Sequence, residues 1–200
     1  MELEMDVLVK RFKDYISFDT QSDEENDKVC PSTPGQLVLA KHLAEELKEI
    51  GLTEVELDNH GYVMATLPAN GVTEAPVVGF IAHVDTSPDA SGENVKPWVL
   101  ENYDGSDILL NPEKNIIMKA SDFPFLSRYI GQDLILTDGT TLLGGDDKAS
   151  ISAIMTMAAY YCAHPEIPHG LICLAFTPDE EVGGLALSAS EPSMVDGILA

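Results

Sequence analysis

The chain has 200 residues, with 34 acidic and 11 basic side chains and a formal net charge of −23 at pH 7. So few basic residues argue against a surface for nucleic acid or for an anionic membrane, and no apolar run is long enough for a transmembrane helix. The hydrophobic fraction of 44% is enough for a sizeable core. An acidic start without an apolar run and three widely spaced cysteines predict a cytoplasmic protein without a disulfide framework.

Helical and extended periods alternate along the chain. Apolar residues at helical spacing predict a first helix around residues 7–16. Thr33, as the N-cap of a capping box with Gln36, begins a second predicted helix that ends at Gly51. Two short strands are predicted on either side of the turn at His60-Gly61. The later predicted elements are a strand at 76–83, a long loop at 86–107, strands at 116–118 and 134–136, a helix at 150–161 and a strand at 170–177.

This alternation of strands and helices predicts the fold class. It indicates an α/β sandwich of three layers, with helices on both faces of a mixed, mainly parallel sheet. The runs 76–83 and 170–177 are almost continuously apolar. Such runs are typical of strands that are buried on both faces of a sheet.

Three acidic patches lie where strands end or helices begin. They are His83-Val84-Asp85, Asp146-Asp147-Lys148 and Asp179-Glu180-Glu181. Ligands of open α/β sheets bind at the carboxyl ends of the strands, so we expect the patches to meet in space. Imidazole and carboxylate groups bind zinc and similar divalent ions, which also relieve repulsion between carboxylates.

The spacing within two patches suggests roles. Alternate side chains of a strand share a face, so Asp85 can hydrogen-bond the imidazole of His83 while that ring binds a metal. Of the adjacent Glu180 and Glu181, one can bind the metal while its neighbour acts as a general base.

Each patch alone also has a simpler interpretation. A histidine near an aspartate is commonly a hydrogen-bonded surface pair, Asp146 fits a helix N-cap, and residues 179–181 fit an acidic first helical turn. Their joint occurrence at strand ends favours the metal site. His164 and His169 precede the strand at 170–177, so we expect them at the opposite edge of the sheet and not among the ligands.

Several long motifs resemble one family. The segments GFIAHVDTSPDASGENVKP, TDGTTLLGGDDKAS and IPHGLICLAFTPDEEVG closely resemble the peptidase T family of tripeptide aminopeptidases, which belongs to the di-zinc metallopeptidase superfamily. The resemblance extends from the first helix to Gly184. It implies a zinc-exopeptidase-like catalytic domain that holds two zinc ions and cleaves tripeptides with a free N-terminus.

The resemblance also implies roles for individual residues. His83 would ligate one zinc ion, Asp146 would bridge both ions, and Glu181 would ligate the second. Asp85 would orient His83, and Glu180 would be the general base for an attacking water. The family further implies a cis peptide bond after the bridging aspartate.

Two features depart from the family pattern. Val195-Asp196-Gly197 resembles a segment with a further carboxylate ligand, but it follows Glu181 too closely, so Asp196 fits a metal ligand and a chance match equally well. Family members also insert a lid or dimerisation domain and then return with the final histidine ligand. Residues 1–200 are therefore expected to be the N-terminal part of a catalytic domain, without the lid and the closing segment.

The leading functional hypothesis is a zinc aminopeptidase that releases the N-terminal residue of tripeptides, with impaired activity in this chain. One alternative is a catalytically incompetent metal-binding fragment, or a remnant that self-associates through exposed apolar surface. Another is a related dipeptidase or N-acyl-amino-acid deacylase. The expected partners are a small peptide and further copies of the chain, with no nucleic acid and no membrane.

Overall fold

The computed structural model describes residues 5–26, 28–72 and 74–183. They divide into two compact units, one formed by the described residues of 1–89 and 144–200 and the other by residues 90–143. The elements are α1 Met5–Tyr15, α2 Pro34–Ile50, β1 Glu54–Leu57, β2 Val63–Leu67, β3 Val78–His83, β4 Trp98–Leu100, β5 Ile108–Asn111, β6 Ile116–Met118, a 3₁₀ turn Pro124–Tyr129, β7 Leu134–Leu136, α3 Gly145–Ala163, β8 Ile172–Thr177 and a 3₁₀ turn Glu180–Val182. Among the described helices, none has the length and apolar character that crossing a membrane requires.

A four-stranded sheet organises the first unit, in the order β1-β2-β8-β3. The pairs β1/β2 and β2/β8 are antiparallel, whereas β3 and β8 are parallel. The predicted mixed sheet is confirmed. Its described part has more antiparallel than parallel pairs, so the expected predominance of parallel pairs is not found there.

The two apolar strands differ in their burial. Every residue of β8 is buried, because this strand has a neighbour on each side. In β3, which lies at the edge of the described sheet, Val78 and Ile81 are exposed. The prediction of a strand buried on both faces is therefore right for β8 and wrong for β3.

One face of this sheet carries the main hydrophobic core. Alternate residues of β2 and β8, among them Val63, Leu174 and Phe176, pack against apolar side chains of α2 and α3. Tyr15 of α1 joins the same core. The described helices thus lie on one face, and the helical layer expected on the other face is not found within residues 5–26, 28–72 and 74–183.

Helix α2 has the bounds that its sequence predicts. Pro34 lies in its first turn, and Gly51 ends it in the left-handed conformation, with φ 117°. The predicted capping box is wrong, however. Thr33 makes no side-chain cap hydrogen bond, and the Gln36 side chain donates instead to a buried aspartate, Asp179.

The second unit, residues 90–143, contains two two-stranded sheets. Strand β4 pairs with β7, and β5 pairs with β6, all antiparallel. Tyr103, Ile108, Leu126 and Leu136 form its small core. The predicted loop at 86–107 is wrong at β4, because the Pro, Gly, Asp and Ser residues around this short strand are typical of a loop.

Candidate metal centre

Three segments meet at one edge of the four-stranded sheet. His83 is the last residue of β3, Asp179 to Glu181 follow β8, and Asp146 lies in the first turn of α3. Strands β3 and β8 are parallel, with His83 opposite Thr177, so their carboxyl ends lie side by side. The structure therefore brings the three acidic patches together at the edge where ligands of such sheets bind.

His83, Asp146 and Glu181 form a group of metal-ligating side chains. One ligand atom from each lies within 4.8 Å of the other two. The Nε2 atom of His83 is 3.1 Å from Oδ1 of Asp146. One imidazole nitrogen and two carboxylate oxygens are a donor set that zinc and similar ions accept, so these residues fit a divalent metal.

The imidazole of His83 is held between acidic groups. Its Nδ1 atom lies 3.0 Å from the backbone oxygen of Asp85 and 3.3 Å from the Oδ1 atom of that residue. Burial alone lowers the pKa of His83, but the hydrogen bond and charge of Asp85, then Asp146 and Asp147, outweigh burial and raise the pKa to about 9. The site thus favours a positive charge at the ring, whether a proton or a metal ion supplies it.

Asp85 links the histidine to the two glutamates. It is fully buried, and its Oδ1 and Oδ2 atoms accept the backbone N–H groups of Glu180 and Glu181, each at 3.0 Å. Burial raises the pKa of Asp85, but the hydrogen bonds from His83 and from these two N–H groups outweigh burial and lower it. Sequence reasoning placed Asp85 beside His83 but missed the backbone contacts, because a sequence pattern does not show where peptide N–H groups point.

The adjacent glutamates differ in their surroundings. Burial raises the pKa of Glu181; His83 opposes this shift, and the charges of Asp146, Asp85 and Glu180 reinforce it. A cation at the group relieves this crowding of negative charge. The side chain of Glu180 is 49% exposed, and its Oε2 atom lies 3.8 Å from Nε2 of His83.

The start of α3 directs two aspartates to different partners. Asp146 has non-helical angles, φ −87° and ψ 109°, and the peptide bond between Asp146 and Asp147 is cis, as the resemblance implies. The Oδ2 atom of Asp147 accepts the backbone N–H of His83 at 3.4 Å. The Asp146 carboxylate contacts the imidazole of His83, which a role as helix N-cap does not require.

The other candidate residues lie elsewhere. His164 and His169 precede β8, and His164 pairs with Glu166 at 2.9 Å. Asp196 lies outside the described residues. Within the described part of the chain, His83, Asp146 and Glu181 are the group with metal-binding geometry.

The mixed sheet and its helices confirm the predicted α/β fold of the zinc-exopeptidase type, although the second helical layer and the mainly parallel pairing are not found among the described residues. A crystal structure of aminopeptidase PepT from Bacillus cereus matches with a TM-score of 0.62, over 94% of this chain and 40% of that chain. The sequence identity of this pair is 23%, so the likeness concerns the fold alone. No family model matches the chain.

Curated relatives of this chain carry a particular name. Peptidase T of Bacillus velezensis is 58% identical over 176 residues, which cover 88% of this chain and 43% of that protein. Peptidase T of Clostridium novyi is 58% identical over 179 residues, which cover 90% of this chain and 44% of that protein. The resemblance to peptidase T that the motifs indicate is confirmed. The chain spans less than half of the length of these relatives.

Proposed function

We propose that this chain carries the metal-binding part of a tripeptide aminopeptidase active site. The observation that carries the proposal is the group of His83, Asp146 and Glu181, with ligand atoms within 4.8 Å of one another. The group occurs in a chain that is 58% identical to proteins named peptidase T, which supports peptide hydrolysis as its use. We also propose that residues 1–200 form the N-terminal part of the catalytic domain, because the relatives are more than twice as long as the matched region.

The proposed cofactor is zinc, as two ions in a complete site. His83 would hold one ion and Glu181 the other, with Asp146 shared between them. The side chain of Asp146 is 85% exposed although one of its oxygens faces His83, which leaves the rest of the carboxylate open for a second ion. Bound zinc would polarise the scissile carbonyl and lower the pKa of a water molecule. Asp196 is proposed as a further ligand.

Glu180 is the proposed general base. Its carboxylate is half exposed and lies beside the metal-ligating group, within reach of a water on that side. It would accept the proton of the attacking water and return it to the leaving amine. Asp85 supports this role because it holds the backbone N–H of Glu180 and also contacts the imidazole of His83.

The proposed substrate is a tripeptide with a free N-terminus, cleaved after its first residue. Its ammonium group is cationic, and the net charge of −23 favours the approach of a cation. A cytoplasmic location is proposed because Cys30, Cys162 and Cys173 are free thiols, which are typical of reducing compartments. Self-association is proposed through the exposed apolar residues of β3.

Metal stoichiometry and peptide turnover test this proposal. Zinc is titrated into the metal-free chain, and hydrolysis is measured on di-, tri- and tetrapeptides with free or acetylated N-termini. If the reading frame continues past Ala200, the longer product is assayed in parallel. We expect zinc binding by the chain, and two ions with tripeptide turnover in the longer product. A folded chain that binds no zinc would refute the proposal.

Two further outcomes support the alternatives. One bound ion without turnover in any form of the protein would support a metal-binding fragment, which the short coverage of the relatives also favours. Preferred cleavage of dipeptides or of acetylated substrates would support a dipeptidase or a deacylase.

A further inference from the structure

A buried polar network lies directly behind the proposed general base. We infer that Asp179, Ser32 and Gln36 form a positioning clamp, which fixes the turn that presents Glu180 and Glu181. The catalytic meaning of this clamp rests on the function proposed above, whereas its geometry does not.

The carboxylate of Asp179 is surrounded by donors. The residue is 4% exposed, and its Oδ2 atom accepts the backbone N–H of Ser32 at 2.7 Å. Its Oδ1 atom accepts the Ser32 hydroxyl and the Nε2 amide of Gln36, the latter at 2.6 Å. The Oε1 atom of Gln36 in turn accepts the backbone N–H of Asp179 at 3.0 Å. The Gln36 amide therefore holds both the side chain and the backbone of Asp179.

The backbone of Asp179 needs such support. Its φ of 56° and ψ of 28° lie in the left-handed region, which L side chains adopt uncommonly. Here the chain leaves β8 and enters the turn Glu180–Val182. A buried carboxylate that loses one of its donors is left poorly solvated, so the clamp resists rearrangement of the turn.

Two buried side chains from distant parts of the chain, Gln36 and Asp85, hold this turn. The N–H of Asp179 ends on Gln36 of α2, and the N–H groups of Glu180 and Glu181 end on Asp85 after β3. Three consecutive backbone N–H groups are thus fixed. These hydrogen bonds fix the peptide planes from which both glutamate side chains extend. Residues that contact metal ligands commonly have such an orienting role.

The clamp requires a hydrogen-bond donor on one of residues 36 and 179 to face an acceptor on the other. Gln36→Glu sets a carboxylate against the carboxylate of Asp179, and Asp179→Asn sets an amide donor against the amide donor of Gln36. The two changes together exchange donor and acceptor, so the hydrogen bonds can form again with reversed polarity. Gln132→Glu, in an exposed part of the second unit, is the matched control.

Two measurements on the 200-residue chain test the clamp. Hydrogen exchange of the Glu180 and Glu181 amides is followed by NMR in the metal-free chain, with the Val84 amide, which donates to Thr177, as the internal reference. Affinity for Co²⁺ and the visible absorption of the bound ion report the geometry of the ligands. Urea denaturation gives the free energy of unfolding of each variant, which distinguishes a local change at the turn from a loss of global stability.

We expect each single variant to speed exchange at Glu180 and Glu181 about tenfold relative to Val84. Each should also weaken Co²⁺ binding about 10–100-fold and alter its spectrum. The double variant should return both readouts to within about threefold of the original chain. Gln132→Glu should change neither.

The inference is overturned if the double variant is no better than the worse single variant. It is also overturned if Val84 loses protection as much as the glutamate amides do, since that pattern reports general destabilisation. If the original chain binds no Co²⁺, the proposed function fails, and the exchange data alone still decide whether the clamp exists.

Discussion

The carboxylate of Asp85 accepts the backbone N–H of Glu180 at 3.0 Å, although 95 positions separate the two residues in the chain. The same carboxylate lies 3.3 Å from the imidazole of His83. Strands β3 and β8 make this contact possible, because their parallel pairing brings both carboxyl ends to one edge. A proposed metal ligand and the proposed base are therefore oriented by one buried group.

Removing the charge of Asp85 should weaken metal binding. Asp85→Asn keeps the shape, but an amide cannot accept both N–H groups and hold His83 as a carboxylate does, so zinc affinity should fall about 10–100-fold. Affinity is measured by competition with a chromogenic chelator. The control is Asp58→Asn, since Asp58 accepts the N–H groups of His60 and Tyr62 at 2.9 Å in an exposed turn. Equal effects of the two variants would contradict a special role for Asp85.

The two glutamates should respond differently to the same change. Glu181→Gln removes a proposed ligand, so zinc affinity should fall by at least about tenfold. Glu180→Gln should leave affinity within about threefold and abolish any tripeptide hydrolysis, because only the proposed base is lost. Both variants are titrated with zinc, and the same two changes are assayed on one tripeptide in the longer product. Retained turnover in Glu180→Gln would remove this residue from the role of base.

Histidines at the two ends of the sheet give a matched comparison. His83→Asn should lose most zinc binding, whereas His164→Asn should bind like the original chain, since His164 pairs with Glu166 away from the group. Bound zinc is counted after gel filtration. Loss of zinc from both variants would show that the ion is held elsewhere or by the fold as a whole.

The thiol of Cys30 should react slowly at neutral pH. Burial, followed by the nearby charge of Asp179, raises its pKa from 9.0 to about 11. The reactive thiolate is therefore scarce below pH 11, and at pH 8 alkylation should be about 100-fold slower than in the urea-unfolded chain. Timed labelling with iodoacetamide and peptide mass spectrometry give the rate at each pH. A rate that levels off near pH 9 would contradict the raised pKa.

Stability should depend on the core face of α2. Leu43 is fully buried in the core of the first unit, so Leu43→Ala should lower the free energy of unfolding by about 2–5 kcal/mol. Val38 lies in the same helix and is 54% exposed, so Val38→Ala should change it by less than about 0.5 kcal/mol. Urea denaturation followed by circular dichroism compares the two, and similar midpoints would contradict the assigned core.

Local periodicity was enough to predict much of the fold. Helix α2 lies where its apolar spacing places it, and the strands β2 and β8 lie where extended apolar runs predict them. The exposure of β3 was not predictable in this way. A run of apolar residues does not reveal how many neighbours a strand has.

The positions of the acidic patches were predictable from the ends of the strands, but their partners were not. Gln36 fits a capping box by its local sequence, yet its side chain bonds Asp179, 143 positions away. A distant buried carboxylate competes for the amide, and no local pattern shows it. The backbone contacts of Asp85 escaped prediction for the same reason.

The sheet order has a consequence for biosynthesis. Strands β2 and β3 follow each other along the polypeptide, but β8 lies between them. As the chain emerges from the ribosome, β2 and β3 cannot complete the sheet until residues 172–177 have been made. Strand pairing between residues so far apart in the sequence is slow. His83 ends β3 and Glu181 follows β8, so their ligand atoms meet only when these two strands have paired. The proposed metal site is therefore complete only after this pairing, and a metal ion bound there cannot guide the start of folding.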